Sequence, residues 1–157
     1  MQSNPQVQSS PTGPNTSLYD QDLSAWAAHN AQLLRNGQFN ELDIEHLIEE
    51  LDDMGKSEKR GIYSHQKVLL MHLLKWKTQP AMRSTSWAGT IRTQRREIAS
   101  LLRQSPSLRP KLAPEFATNY AETAVDASSD MGISRDQLPR DCRFNLDQTL
   151  DREFLPG

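Results

Sequence analysis

The chain has 157 residues, 36% of them hydrophobic and 24% charged, and its net charge at pH 7 is -2. This length predicts one domain with a sizeable core, and the near-zero net charge argues against a surface that is basic throughout, as in many nucleic-acid-binding proteins. The single cysteine, Cys142, excludes an intrachain disulfide and a cysteine-only metal site. There is no secretory signal and no apolar stretch that could span a membrane, so we expect a cytoplasmic protein without a membrane partner.

The first 17 residues differ in composition from the rest of the chain. They carry no charge and are rich in Gln, Ser, Asn and Pro. Such a segment cannot bury enough apolar surface to offset the entropy lost on ordering. We therefore predict a disordered polar leader over residues 1–17 and a single helical-bundle domain over residues 18–157.

Apolar residues in the rest of the chain recur at three-to-four spacing, which indicates helices, and no segment shows the alternation of a strand. Asp20 is placed to cap the first helix and Gly37 to end it, while Gly55 is a natural stop for the second. The sequence predicts an all-α antiparallel bundle of four to five main helices with a short C-terminal helix. The predicted helices span residues 19–36, 41 or 43 to 54, 57–78, 84 or 86 to 104, 114–129 and 145–150.

The sign of the charge reverses along the chain. Residues 38–58 hold eight Asp or Glu and one Lys, whereas residues 59–111 hold twelve Lys or Arg and one Glu. Faces of opposite sign on consecutive helices favour packing between them. We interpret the reversal as pairing among predicted helices two, three and four.

The second predicted helix carries a set of residues of the types that bind divalent metals: His46, Glu49 and Asp53. At 100° per residue these three lie opposite the helix's own apolar stripe of Ile44, Leu47, Ile48 and Leu51. A solvated acidic face is therefore favoured over a metal site, which would require a second interface. A divalent metal at this place is kept as an alternative.

Two histidines of the third predicted helix are the best candidates for chemistry. His65 and His72 lie seven residues apart, on one edge of the apolar stripe, and each could donate to a carboxylate of helix two such as Glu50. We expect a buried polar network of Glu50, His72 and Arg95. A histidine satisfied by a hydrogen bond in the core is the more common outcome, so it is favoured over a catalytic role for His72, His65 and Glu50, which is kept as an alternative.

The basic fourth helix suggests a nucleic-acid surface, but the pattern does not favour one. Arg92, Arg96 and Arg103 lie opposite the stripe that holds Trp87 and Ile91, as a solvated face would. Nucleic-acid binding favours a contiguous basic face with exposed aromatic rings. Nucleic acid is therefore the least favoured partner. No phosphate-binding loop or hydrolase motif is present.

Several segments resemble a known bacterial family, the domain of unknown function 29. They include LYDQD, DIEHLIEELDDMGKSEKR, VLLMHLLKW, IRTQRREI, LLRQSPSLRP and the closing FLP. The resemblance covers about residues 18–156. It implies a compact, cytoplasmic, mainly helical protein, and it transfers no catalytic residue.

Three hypotheses of function follow. The leading one is a helical bundle that acts by protein interaction, self-association in particular. The alternative is a metal-dependent, hydrolase-like enzyme that uses His, Glu and Asp residues of helices two and three. The third is nucleic-acid binding through the fourth helix.

Overall fold

In the computed structural model, residues 17–157 are described and form helices joined by short turns. The predicted all-α fold is confirmed, with four long helices and two short ones in this part of the chain. The predicted leader lies outside the described residues except for Ser17. The helices are α1 (Leu18–Gln21), α2 (Leu23–Arg35), α3 (Ile44–Thr78), α4 (Thr85–Gln104), α5 (Arg109–Met131) and α6 (Leu146–Leu150).

The described residues belong to two compact units, one up to Asp52 and the other from Asp53 to Gly157. The first contains α1, α2 and the start of α3. The second contains the rest of α3 and everything after it. The single domain expected over residues 18–157 stays a prediction.

Side-chain caps set the helix boundaries in the first unit. Ser17 accepts from the backbone N–H of Asp20, whose carboxylate bonds back to Ser17. Asp22 caps α2 by accepting from Ala25 N–H at 2.9 Å. Asp20 thus takes part in the cap of α1 from its N3 position, while Ser17 and Asp22 are the N-cap residues of α1 and α2. Gly37, at φ 70°, follows α2 as predicted.

The predicted stop at Gly55 is wrong. Helix α3 runs from Ile44 to Thr78 without a break, so predicted helices two and three are consecutive parts of one helix of 35 residues. A glycine inside a helix costs about 1 kcal/mol relative to alanine, which the flanking helix formers offset. The acidic and the apolar parts of α3 are therefore segments of one helix and not two separate helices.

The second unit is a bundle of the rest of α3 with α4 and α5. Helix α4 runs antiparallel to α3, since Gly61 lies against Leu101 and His65 against Gln94. Helix α5 runs antiparallel to α4 and therefore parallel to α3. The core between them includes Ile62, Leu69, Leu70, Leu73, Ile91, Ile98, Ala124 and Ala127. The polar side chains of Gln66, Asn119 and Thr123 are also buried there.

Lysines of α3 pair with acidic residues of α5. Lys59 lies 2.5 Å from Glu115, and Lys75 lies 2.5 Å from Asp130. Between them, Lys67 lies 3.3 Å from Asp126. The charge reversal in the sequence was assigned to helices two, three and four. In the second unit the acidic partners of Lys59, Lys67 and Lys75 come instead from α5.

The segment after α5 is fixed to α4 by Arg95. Its guanidinium donates to the backbone carbonyls of Thr149 at 2.8 Å, Arg152 at 3.3 Å and Phe154 at 2.8 Å. Asn145 caps α6 with a capping box, at the start of the helix predicted over residues 145–150. The C-terminal segment is thus held to α4 by a buried arginine, and its apolar residues, such as Phe144 and Phe154, pack in or against the core.

Candidate functional site

The first unit contains a cluster of aromatic, acidic and histidine side chains, which we call the His–Asp cluster (Tyr19, Trp26, Asp43, His46, Glu50). Nδ1 of His46 lies 2.7 Å from Oδ2 of Asp43, and Nε1 of Trp26 donates to the same oxygen at 2.9 Å. The Tyr19 ring stacks on the His46 ring with centroids 3.9 Å apart. The Tyr19 hydroxyl donates to Glu50 at 2.7 Å. These contacts join α1 and α2 to the beginning of α3.

Hydrogen bonds with the Asn30 side chain and with the His46 backbone fix Asp43 in this position. Buried Asn30 accepts from the N–H of Asp43 at 3.0 Å and donates to the carbonyl of Trp26 at 3.0 Å. Asp43 in turn accepts from the backbone N–H of His46 at 3.5 Å, at the N-terminus of α3. The carboxylate therefore both caps the helix and orients the imidazole.

The hydrogen bonds of the cluster shift two pKa values in opposite directions. The bond from Trp26, followed by that from His46, lowers the pKa of Asp43 below its ordinary value of 3.8. The bond to Asp43 raises the pKa of His46 above 6.5. The pair therefore favours an imidazolium beside a carboxylate at mildly acidic pH.

On the same part of α3, three residues of the predicted apolar stripe (Ile44, Ile48, Leu51) are exposed, whereas the fourth, Leu47, is partly buried. The three residues are 51%, 56% and 65% accessible, respectively. The sequence placed this face of the helix in the core, and that expectation is wrong. The helix packs with the edge that carries Asp43, His46 and Glu50, because those side chains find partners on α1 and α2.

The metal-site candidates do not converge. His46 bonds to Asp43, Glu49 is exposed, and Asp53 lies 3.4 Å from Lys56. Among residues 17–157, no group of three or more His, Cys, Asp or Glu side chains is placed to hold a metal ion. His46 was also predicted to lie on a solvated face, whereas it is half-buried under the Tyr19 ring.

The expected network of Glu50, His72 and Arg95 has three separate sets of partners. Glu50 accepts from Tyr19, His72 Nδ1 lies 2.9 Å from the carbonyl of Val68 on its own helix, and Arg95 binds the C-terminal carbonyls. His65, for its part, lies 2.7 Å from the amide oxygen of Gln94. Neither histidine bonds to a carboxylate of the acidic half of α3, since that half precedes them on one continuous helix. Arg95 is buried, as expected, but its acceptors are carbonyls.

The remaining sequence candidates lie on α4 and in the C-terminal segment. Arg92, Arg96 and Arg103 are exposed, as the projection predicted. Cys142 is partly buried, and burial raises the pKa of its thiol to about 11, so it is protonated at neutral pH.

Two sets of contacts were not predicted from the sequence: those of Tyr19 and those of the acidic residues of α5. Tyr19 was used only to mark the start of a helix, yet its ring and hydroxyl contact His46 and Glu50. The acidic residues of α5 were not assigned to the α3 lysines. Their spacing along α5 (115, 122, 126, 130) puts them on one helix face and was the available signal.

Comparison with known proteins identifies a family. The family model described as Domain of unknown function DUF29 matches residues 18–155. The chain belongs to this family. No curated protein and no solved structure matches the chain. Within the described residues, no helix of this DUF29 protein combines the length and the hydropathy needed to cross a membrane.

Proposed function

We propose that this protein is a binding module whose apolar stripe (Ile44, Ile48, Leu51) docks a basic amphipathic helix of a partner protein. The observation that carries the proposal is the exposure of three large aliphatic side chains at helical spacing on one face of α3. Contiguous exposed apolar surface is a mark of interaction sites, and an amphipathic helix buries such a row through anchors spaced three to four residues apart.

The charge around the stripe selects the partner. Exposed Glu45, Glu49 and Asp52 lie along one edge of the stripe. No Lys or Arg occurs between Arg35 and Lys56. A partner helix with apolar anchors and flanking Lys or Arg would match both the apolar row and its acidic edge, which favours fast and specific association.

A second copy of the chain fits the stripe less well. In an antiparallel two-fold pair of helices, each edge faces its own counterpart, so the acidic edges of the two copies would meet. Like charges across an interface disfavour association. Self-association, which the sequence suggested, is therefore the competing occupant of this surface.

The proposal is tested with a synthetic 14-residue helical peptide of Leu and Lys, its leucines placed at helical spacing. A fluorescent label on the peptide reports binding to the full chain by anisotropy at 150 mM salt. We expect micromolar affinity, and the same peptide with Glu in place of Lys should not bind. Ile48→Ser and Leu51→Ser should each weaken binding about tenfold, since each removes a buried anchor.

The matched control is Val125→Ser, which changes an exposed aliphatic residue of α5 that is 55% accessible. Binding by this variant should equal that of the native chain. The proposal is contradicted if V125S and L51S lose peptide affinity equally, or if the acidic peptide binds as tightly as the basic one. A dimer in light scattering that Leu51→Ser abolishes would assign the stripe to a second copy instead.

A further inference from the structure

The second unit has a cavity of about 530 Å³ between α4 and the C-terminal segment. Arginine dominates its lining: Arg92, Arg95 and Arg96 come from α4 and Arg152 from the segment. Thr93, Gly89 and one carboxylate, Glu153, complete the wall. Four arginines against one glutamate give the lining a net positive charge, although Asp151 and Glu153 interact with Arg95 and Glu97 contacts Arg96.

The cavity forms because Arg95 binds the C-terminal segment. Its bonds to the carbonyls of Arg152 and Phe154 hold the segment beside α4, which brings the Arg152 side chain to the cavity that Arg92 and Arg96 line. Arg95 itself is 4% accessible, and burial lowers its pKa. Its acceptors are neutral carbonyls, so its charge is not cancelled by a directly bonded carboxylate.

The other arginines are available to a ligand. Within the described residues no carboxylate pairs with Arg92 or Arg152, and Arg96 has only a 3.4 Å contact with its neighbour Glu97. Converging charges of one sign repel each other and raise the local concentration of anions. Guanidinium groups bind phosphoryl oxygens through two parallel hydrogen bonds.

We infer that this cavity binds a small polyanion of the diphosphate class, with Arg92, Arg96 and Arg152 as its ligands and Thr93 as a further donor. Cavities of about 300–1,000 Å³ hold small molecules, so the volume exceeds what a lone phosphate needs. The unpaired guanidinium groups of Arg92 and Arg152, together with Arg96 if it exchanges its 3.4 Å contact with Glu97 for the ligand, match a ligand with two phosphoryl groups. Glu153, in the cavity wall, would accept a hydrogen bond from a hydroxyl or amine elsewhere in such a ligand.

The experiment uses inorganic pyrophosphate as the probe, with calorimetry on the full chain at pH 7.5 and 150 mM NaCl. We expect one site per chain with a dissociation constant near 100 µM or lower, and orthophosphate should bind at least tenfold more weakly. Arg92→Ala and Arg152→Ala should each weaken pyrophosphate binding at least tenfold. Arg92→Lys should be intermediate, because lysine keeps the charge but loses the paired geometry.

The matched control is Arg103→Ala, which removes the same charge from an exposed position of α4 outside the cavity. Its affinity should stay within twofold of the native value. Absence of pyrophosphate binding at 1 mM overturns the inference, as does an equal loss in R103A and R92A. A 20-nucleotide single strand that binds more tightly than pyrophosphate and depends on Arg103 would instead assign the basic face to nucleic acid.

Discussion

The side chains of Asp43 and His46 hold the N-terminus of α3 to α1 and α2. Asp43 accepts from Trp26, from the His46 ring and from the His46 backbone, so one carboxylate serves as a cap, an anchor for α2 and a counter-charge. The Tyr19 ring covers the imidazole. The protonation state of this pair should therefore affect how firmly α1 and α2 are held.

We predict that the His–Asp cluster is more stable near pH 6 than near pH 8. The folded pKa of His46 is raised above 6.5, so its contribution is fully present below pH 6.5 and is lost as pH rises through the folded value. Asp43, whose pKa is lowered, contributes above pH 3.8 and loses its effect as pH falls through its folded value. Amide hydrogen-exchange protection factors of α2, corrected for intrinsic exchange rates, should therefore be higher near pH 6 than near pH 8.

Asp43→Asn is the diagnostic variant, because asparagine still caps a helix but carries no charge. The pKa of His46, followed by the NMR shift of its ring protons, should fall in this variant. His46→Gln should flatten the pH dependence of protection between pH 6 and 8. A native His46 pKa at or below 6.5 would show that the pair is not coupled.

At the scale of elements, the continuity of α3 through Gly55 is the main departure from the predicted helices. A Cβ added at Gly55 would meet nothing within 4 Å, and the backbone there is ordinary helix. Gly132 differs, because it ends α5 with φ 66° in the left-handed region. The helical backbone at Gly55 therefore accepts an alanine without strain, whereas the positive φ at Gly132 does not.

We predict that Gly55→Ala stabilises the protein by about 0.5–1 kcal/mol, the usual helix-interior difference between glycine and alanine. Gly132→Ala should destabilise it by about 1 kcal/mol, since an L side chain at positive φ is strained. Urea denaturation followed by circular dichroism measures both. If G55A is destabilised like G132A, then α3 must bend or break at residue 55.

The elements that could be predicted from sequence are those governed by local chemistry. Ser84 and Asn145 cap α4 and α6, whose starts were predicted at residue 84 or 86 and at residue 145. Helix α5 was expected from residue 114 but begins at Arg109, because Pro110 fits the first turn of a helix, where its missing N–H needs no partner. The orientation of α3 in the first unit could not be predicted. Periodicity identifies the apolar face of a helix but not which neighbour covers it.

The candidate sites, too, combine features that could be predicted from local sequence with features that depend on packing. Projection placed His46, Glu49 and Asp53 opposite the apolar stripe, but the packing of Tyr19 on His46 depends on contacts 27 residues apart in the chain. Similarly, Arg92 and Arg96 were recognised as one basic face. Arg152, which completes the cavity, comes from a segment whose position is set by Arg95.

On the scale of the whole molecule, Arg95 is the main polar link between the bundle and the C-terminal segment. We predict that Arg95→Met lowers the free energy of unfolding by about 2 kcal/mol or more, because hydrogen bonds to a charged donor contribute about 1.5–3 kcal/mol each and are not additive. Arg96→Met, at an exposed position of the same helix, should change stability by less than about 0.5 kcal/mol. Chemical denaturation of both variants makes the comparison. Equal stability of R95M and R96M would show that the segment is held by its apolar contacts alone.

The three carbonyls that Arg95 binds also impose an order on events at the ribosome. Thr149 and Phe154 follow Arg95 by 54 and 59 residues, respectively. At a synthesis rate of about 5–20 residues per second, the arginine exists for roughly 3–12 s before its acceptors do. A guanidinium without acceptors stays in water, because burying an unpaired charge is strongly unfavourable. Arg95 can therefore be buried only after residues 149–154 have been synthesised, so closure of this unit during synthesis waits for the segment that carries the acceptors.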